Sequence, residues 1–388
     1  MKLFLTAGEA SGDRLGAALM RGLRALLPDE EIEVRGIGGP RMIEEGLQSL
    51  FPMDEIAIMG ITEILREYRS LKRRIRETAE AAIDWQPDVV VTVDLPEFSL
   101  RVAEIIKARS QLRTVHYVAP TVWAWRPGRA AKMARHIDQV LALFPFEPPY
   151  MEAEGMRCDF VGHPVVTDPQ ASAEDCAAFR DSTGIGDAPI ALVLPGSRRS
   201  EVARLAPVFG AVARRLSERR PELRLVIPAA QGVADKVVEA VADWPGAPVI
   251  LDPRERESAV WSAEKRAAFG AADVALAASG TVSLELAAAA TPMLVAYDMG
   301  WLSRQIIGRM LLTDTVTLVN LVSETRAVPE FIGKDCRPEP IARALLSVLD
   351  APGAQDAAMA LTMERLGQGG PPPGERAARA VLEGIGRL

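Results

Sequence analysis

The 388-residue sequence predicts an α/β protein built from two doubly wound, parallel-sheet domains. Three observations carry this. Short runs of Val, Leu and Ile alternate with stretches of helical periodicity, as expected when helices cover both faces of a sheet. The pattern breaks after Val161, across a segment (163–189) rich in proline and in small or acidic residues, and then begins again. The length suits two domains of about 150 residues, or three.

In the first series, strands are expected at 2–6, 33–36, 88–94, 113–118 and 138–143. Helices fit 13–27, 61–83, 96–109 and 128–136, and the domain so outlined covers 1–165. A weak helix near 173–182 lies in the linking region. The second series places strands at 190–194, 223–228, 249–251, 273–277, 293–297 and 316–319. Its helices fall near 200–219, 232–242, 281–290, 301–312 and 338–350, outlining a domain over 186–366. GQGGPPPG at 367–374 reads as a hinge before a last helix, so 367–388 is expected to return to an N-terminal domain.

Composition removes several classes of function. Hydrophobic residues make up 48% and charged residues 25%, which excludes a disordered or collagen-like chain. Lys and Arg number 45 against 52 Asp and Glu, a net charge of −7, so a generally basic nucleic-acid binder is not expected. Aromatics are only 5%, which leaves few platforms for stacking bases. No apolar run reaches the roughly 18–20 residues of a membrane span. The apolar stretch at 3–7 is too short for a signal peptide. Cys158, Cys176 and Cys336 form no CxxC pair and fit a reducing cytoplasm.

Ligands of such sheets bind at the carboxyl ends of the strands, so the residues that follow each strand matter most. After the first strand comes AGEASGD (7–13), where Glu9 sits in the turn and Ser11 can cap the next helix. The spacing is not GxGxxG, and GIGGP (36–40) is no better, so a nicotinamide dinucleotide is not indicated. Asp94 ends a buried strand, a costly place for a charge unless it is used as a base, paired, or spent capping the helix from Pro96 with Glu97. HYVAPTVWAWRPGR (116–129) gathers Trp123, Trp125, Arg126 and Arg129 in a loop that can stack on a sugar or hold a phosphate, or simply plug the core. The helix from Ile61 has one apolar face and a basic one with Arg66, Arg69, Lys72, Arg73, Arg74 and Arg76. That face suits either plain solvent or an anionic membrane surface.

In the second series, LPGSRRSEV (194–202) puts Arg198 and Arg199 at a helix start, where backbone N–H groups and guanidinium meet phosphate well. ASGTVSLE (278–285) follows another strand, with Ser279, Gly280 and Thr281 opening a helix and Glu285 one turn later. Small hydroxyl residues followed by a carboxylate suit a nucleoside diphosphate and its ribose diol. Asn320 follows the strand expected at 316–319, on the same edge. No DxD or HExxH occurs and His116, His136 and His163 are not at ligand spacing, so no metal site is expected.

With these motifs in place the chain closely resembles the lipid-A-disaccharide synthase family. The resemblance also rests on GGPRM (38–42), MGITEIL (59–65), DLPEFSLR (94–101), FPFEP (144–148), FVGHP (160–164), PMLVAY (292–297) and Asn320-Leu321-Val322. It implies a GT-B glycosyltransferase of two facing Rossmann-like domains. The family moves 2,3-diacylglucosamine from its UDP derivative to 2,3-diacylglucosamine 1-phosphate with inversion, releasing UDP. The resemblance implies that Arg198, Ser279, Gly280, Thr281, Glu285 and Asn320 hold UDP, with Asp94 as base and Glu9 as its rival. Ser11, Trp125, Arg129, Ile61 and Arg69 are expected on the acceptor and lipid side. No cofactor is expected, no nucleic acid, and a peripheral place on the inner membrane face from the cytoplasmic side; a homodimer is left open.

Two departures stand out. The family's Asp-x-Pro-Asp-Phe-Asn is Asp94-Leu95-Pro96-Glu97-Phe98-Ser99 here, and Gly333 stands where the family tends to carry Gln. The alternatives are another GT-B enzyme on UDP-N-acetylglucosamine, MurG-like or an epimerase, and a non-catalytic nucleotide-sugar or lipid carrier.

Overall fold

The computed structural model describes residues 1–56, 61–124, 128–254, 256–299 and 313–388, without the side chains of 61–68. The chain divides into two compact units, Met1–Thr167 with Leu366–Leu388, and Asp168–Arg365. The helix expected at 301–312 lies outside the described residues.

The first unit carries seven strands: β1 (Lys2–Ala7), β2 (Glu33–Ile37), β3 (Gln48–Ser49), β4 (Val89–Val93), β5 (Thr114–Tyr117), β6 (Gln139–Ala142) and β7 (Arg157–Phe160). They pair in parallel in the order β3-β2-β1-β4-β5-β6-β7. The second unit has β8 (Ile190–Leu194), β9 (Arg224–Pro228), β10 (Val249–Leu251), β11 (Val274–Ala277), β12 (Met293–Tyr297) and β13 (Glu330–Ile332). Their parallel order is β10-β9-β8-β11-β12-β13. Residues Val89–Val93 and Ile190–Leu194 are buried throughout, which is why these strands read as unbroken apolar runs.

Strand order reverses between β1 and β4, and again between β8 and β11. The registers put Ala7 beside Val93 and Leu194 beside Ala277. At each reversal the two following connections run to opposite sides and leave a crevice at the carboxyl edge.

The strand expected at 316–319 is not formed. Leu318–Ser323 is a helix, and the sixth strand of its sheet is Glu330–Ile332. The β-branched run Thr315-Val316-Thr317 does adopt extended backbone at its end, but Glu330 supplies its partners in place of a ladder. Glu330 Oε1 accepts from Thr315 Oγ1 at 2.7 Å and from the N–H groups of Val316 and Thr317 at 3.0 and 2.6 Å. β7 has no apolar run to announce it, because Arg157 and Asp159 pair with each other at 2.9 Å on its polar face. The helix Ala173–Ser182 is started by a reciprocal cap between Ser172 and Asp175 and belongs to the second unit. Two further helices, Ser258–Ala271 and Gln355–Arg365, are Ala-rich with weak one-sided patterning and escape the periodicity reading.

The last helix, Pro373–Gly384, packs on the helix Ala10–Leu26 through a glycine crossing. A Cβ at Gly22 would stand 2.4 Å from the carbonyl oxygen of Gly374, and one at Gly374 2.5 Å from that of Ala18. These are backbone contacts, so no side chain can rotate away. Gly22→Ala is therefore expected to lower the urea-unfolding stability by about 1–3 kcal/mol; an unchanged midpoint would mean that the helices do not approach this closely.

His163 is buried after β7, with Nδ1 accepting the N–H of Val165 at 3.2 Å. Burial, and secondarily Arg14, holds its pKa at about 3, below the ordinary 6.5. The folded state keeps the ring neutral while the unfolded chain takes up a proton below 6.5. Its contribution is thus whole above pH 6.5 and lost as pH falls toward 3. His163→Asn keeps an acceptor and cannot titrate. Between pH 6.5 and 4 the natural protein should lose on the order of 3 kcal/mol relative to this variant; a pH-independent difference in urea melts would contradict a buried neutral imidazole.

Candidate functional site

In the second unit a cavity of about 570 Å³ opens at the carboxyl ends of β8, β9 and β11. That volume is in the range of small-molecule sites. Arg198, Ser279, Gly280, Thr281 and Glu285 all line it, brought together by the β8–β11 pairing from two loops about 80 residues apart. Ser197 of the LPGSRRSEV loop lines it too, as do Glu201, Gln231, Trp261 and Lys265, which the sequence did not single out.

The β8 loop is shaped by Gly196 and Glu201. Gly196 takes φ +115, and a Cβ there would meet Glu201 Cβ at 2.7 Å. Glu201 Oε2 accepts the N–H of Ser197 at 3.1 Å and of Arg198 at 3.3 Å, filling the start of the helix Arg199–Arg219. Its other oxygen takes the Tyr297 hydroxyl at 3.4 Å. With the amides so occupied, the free cationic reach of this loop is the Arg198 side chain, 75% exposed and only loosely paired to Glu201 at 3.5 Å.

Glu285 stands in the first turn of the helix Val282–Ala288 and pairs with Lys265 Nζ at 2.5 Å. Lys265 comes from the helix Ser258–Ala271, which also carries Trp261. The cavity therefore offers a cation, a cation–carboxylate pair, hydroxyls and one indole. This combination can hold an anionic group and a diol together, with a flat ring against the indole. The only sequence signal for Trp261 and Lys265 lay in a helix whose pattern is weak.

Asn320 is not among the lining residues. It is fully buried inside the helix Leu318–Ser323, where Oδ1 accepts the Val328 N–H at 3.0 Å and Nδ2 donates to the Val328 carbonyl at 2.9 Å. The expected exposure rested on a strand that the chain does not form. Gly333, at the end of β13, takes φ +62, a backbone conformation that favours glycine over the family's Gln.

In the first unit, Asp94 follows β4 and Glu9 follows β1, at neighbouring strand ends. Asp94 and Leu95 both take φ +49. Two consecutive non-glycine residues in this region cost about 1–3 kcal/mol each and need outside support. Tyr117 O accepts the Asp94 N–H at 2.9 Å, and Ser99 Oγ donates to the Asp94 carbonyl at 2.7 Å. Ser99, the departure from the family's Asn, thus has a definite use. Leu95, not Asp94, is the N-cap of the helix Pro96–Arg109, and Glu97 is exposed and reaches Arg101 at 3.6 Å. The capping-box alternative for Asp94 is removed. Burial raises the Asp94 pKa, partly offset by the Leu95 N–H, giving a carboxylate more basic than usual.

Glu9 is the half-buried N-cap of the helix Ala10–Leu26, without a side-chain cap bond, and Ser11 is exposed in its first turn. Asp13, the last residue of AGEASGD, has a different use. Its buried carboxylate accepts the N–H groups of Gly39, Arg41 and Met42 at 2.8, 3.0 and 3.0 Å. This docks GGPRM against the first helix.

Trp125 lies outside the described residues, and so does the side chain of Ile61. Arg129 is half-buried in the short helix Gly128–Met133. Trp123 is buried and donates Nε1–H to Glu147 Oε1 at 3.3 Å. On the helix Ile61–Trp85, Leu71 and Ile75 are buried, while Arg69, Lys72, Arg73 and Arg76 are exposed along a shallow groove with Glu77 and Glu80. Arg74 turns away to Glu55, Glu77 and the face of Phe51. Among the described residues no cluster of three or more His, Cys, Asp or Glu is placed to hold a metal, and no helix is long and apolar enough to cross a membrane.

The family described as lipid-A-disaccharide synthetase matches residues 3–370. The chain is 62% identical to the lipid-A-disaccharide synthase of Ruegeria pomeroyi over 99% of its own length and 95% of that protein. It is 46% identical to the lipid-A-disaccharide synthase of Rhodospirillum centenum, over 99% and 94%. Among solved structures it is similar to UDP-GlcNAc 2-epimerase from Neisseria meningitidis bound to UDP-GlcNAc, with a TM-score of 0.65 at 13% identity, covering 99% of both chains. At that identity the likeness is one of fold.

Proposed function

The chain belongs to the lipid-A-disaccharide synthetase family, and from that premise we propose which substrates it takes and which residues act on them. Its activity is that of a lipid-A-disaccharide synthase, a glycosyltransferase of the GT-B fold. The readings as an enzyme of unacylated sugars or as a non-catalytic carrier are not favoured.

The donor is UDP-2,3-diacylglucosamine and the acceptor 2,3-diacylglucosamine 1-phosphate. The observation that carries the donor assignment is the convergence of Arg198, Ser279–Thr281 and Glu285 on one cavity at the β8–β11 reversal. Arg198 and the loop 279–281 take the diphosphate, and Glu285 takes the ribose diol once Lys265 yields one of its oxygens. Trp261 offers its ring to the base. Asn320 holds the chain behind the site and touches no substrate.

Asp94 acts as the base. Its raised basicity and its strained, well-braced backbone support this over Glu9, whose place at a helix N-terminus favours an orienting role. In one displacement the acceptor 6-hydroxyl oxygen forms a bond to the anomeric carbon and the bond to UDP breaks. Asp94 receives the hydroxyl proton and UDP leaves with the electron pair, so the configuration inverts. Arg198 and the loop amides neutralise the leaving group, and no divalent ion is required.

Both substrates carry acyl chains, so the enzyme works at a membrane surface without crossing it. The exposed Arg69, Lys72, Arg73 and Arg76 support electrostatic contact with anionic lipid.

With purified enzyme, both acylated substrates and EDTA, the disaccharide 1-phosphate and UDP should form at the rate seen without EDTA. In the same assay Asp94→Asn should lower kcat by roughly 10²–10⁴-fold at unchanged donor KM. Glu285→Ala should instead raise donor KM by roughly 10-fold or more. No product would sink the assignment, and the reverse split would exchange the two residues' roles. Replacing Arg69, Arg73 and Arg76 by Gln should weaken sedimentation with anionic vesicles by roughly 100-fold, at about 1 kcal/mol per basic residue; equal binding would leave the helix as scaffold.

A further inference from the structure

One carboxylate in the first unit has no place in the reaction above. Glu147 lies in FPFEP, in the loop that follows β6, and is 2% exposed. Among the described residues no cation meets it. Three N–H groups do: Leu143 and Phe144 give theirs to Oε2 at 3.1 and 3.0 Å, and the Trp123 indole gives its own to Oε1 at 3.3 Å. Leu143 and Phe144 belong to its own loop. Trp123 belongs to the loop after β5, which is the strand paired with β4 and so with the end that carries Asp94.

The bond to Trp123 fixes more than one ring. Trp123 meets Phe146 edge-on at 5.1 Å, Phe146 stacks on Phe144 at 5.4 Å and 6°, and Phe144 packs on His163 at 5.5 Å. The loops after β5, β6 and β7 are thereby joined by one row of rings in a chain that is only 5% aromatic. Aromatic pairs tolerate sliding; a hydrogen bond to a buried carboxylate does not. A charge buried this deeply without a cation is expensive, and burial pushes the Glu147 pKa up to about 7. A glutamine or an apolar residue would avoid that cost, yet neither can accept from all three donors.

We propose that Glu147 is a positioning residue for the acceptor: its carboxylate locks the loop after β5 to the loop after β6, and so holds the wall beside Asp94 that receives the acceptor sugar. The proposal rests on the assignment of the first unit to the acceptor. Glu147 touches no substrate itself. It acts through Trp123 and the loop after β5 to which Trp123 belongs.

The test is a double-variant cycle with both Michaelis constants measured. Glu147→Gln keeps the shape but turns one acceptor into an N–H₂ that confronts a donor. Trp123→Phe keeps a ring and removes the indole N–H. Each single variant should raise acceptor KM by roughly 5–30-fold with donor KM unchanged, and the double variant should be no worse than the poorer single one. If Glu147→Gln fails to fold, Trp123→Phe alone still reads the acceptor constant. A fall in kcat alone, with both constants unmoved, is the signature of lost active protein and would overturn the positioning role while leaving the acceptor assignment intact. Strictly additive effects would overturn the coupling between the two residues. A rise in donor KM with acceptor KM unmoved would overturn the proposal together with the assignment of this unit to the acceptor.

Discussion

The parallel register at the two strand-order reversals is the constraint on which the rest depends. Ala7 pairs beside Val93, and Leu194 beside Ala277, in the middle of each sheet. These strands are buried on both faces, so their ladder cannot slip without exposing apolar surface and breaking backbone hydrogen bonds. The loops that follow are thus delivered side by side, and their connections diverge. Arg198 and Glu285, distant in sequence, share a cavity for that reason. Asp94 and Glu9 are neighbours for the same reason.

Several of the loops are held by buried or half-buried acids. Asp13 gathers three N–H groups of GGPRM, Glu330 gathers the segment 315–317, Glu201 fills the helix start at Ser197, and Glu147 clasps Trp123. An ionised carboxylate has no donor to satisfy and several lone pairs to offer, so one side chain can organise several amides that have left the ladder. The cost is desolvation, and it is visible where amides are too few or too weak to offset it: burial raises Glu147 to about 7. Acids in such a protein are therefore poor guides to chemistry by position alone. Asp94 differs because it neither caps the helix that follows it nor gathers a distant segment.

Much of the fold was legible. The strands β1, β4 to β6 and β8 to β12 announce themselves as largely apolar runs, since a strand covered on both faces takes few polar residues, and β2 is legible although Glu33 and Arg35 alternate along it. β7 is not, because its outward Arg157 and Asp159 satisfy each other and interrupt the run. The segment 316–319 deceived in the opposite sense. Its β-branched residues suit a strand, but Glu330 accepts the N–H groups of Val316 and Thr317 that a ladder would have paired. Of the candidate residues, Arg198, Ser279, Gly280, Thr281 and Glu285 could be brought to one cavity because they lie in the loop, or in the first helical turn, that follows a strand. Trp261 and Lys265 were not legible, since they reach the cavity from a helix whose own sequence does not say which way it faces.

The sequence by itself determined the class of each domain, the break between them and the loops that carry chemistry. These follow from local rules: period, turn residues and what may follow a strand. Only the tertiary structure decided what each polar group in those loops does. Asn320 and Asp13 stand in motifs as plainly as Asp94 and Glu285, yet they are spent on the backbone of other segments, Val328 and GGPRM. Whether a side chain is spent or available depends on which donors and acceptors arrive next to it, and that pairing is set by the sheet register and helix packing, not by the residues alongside it in the chain.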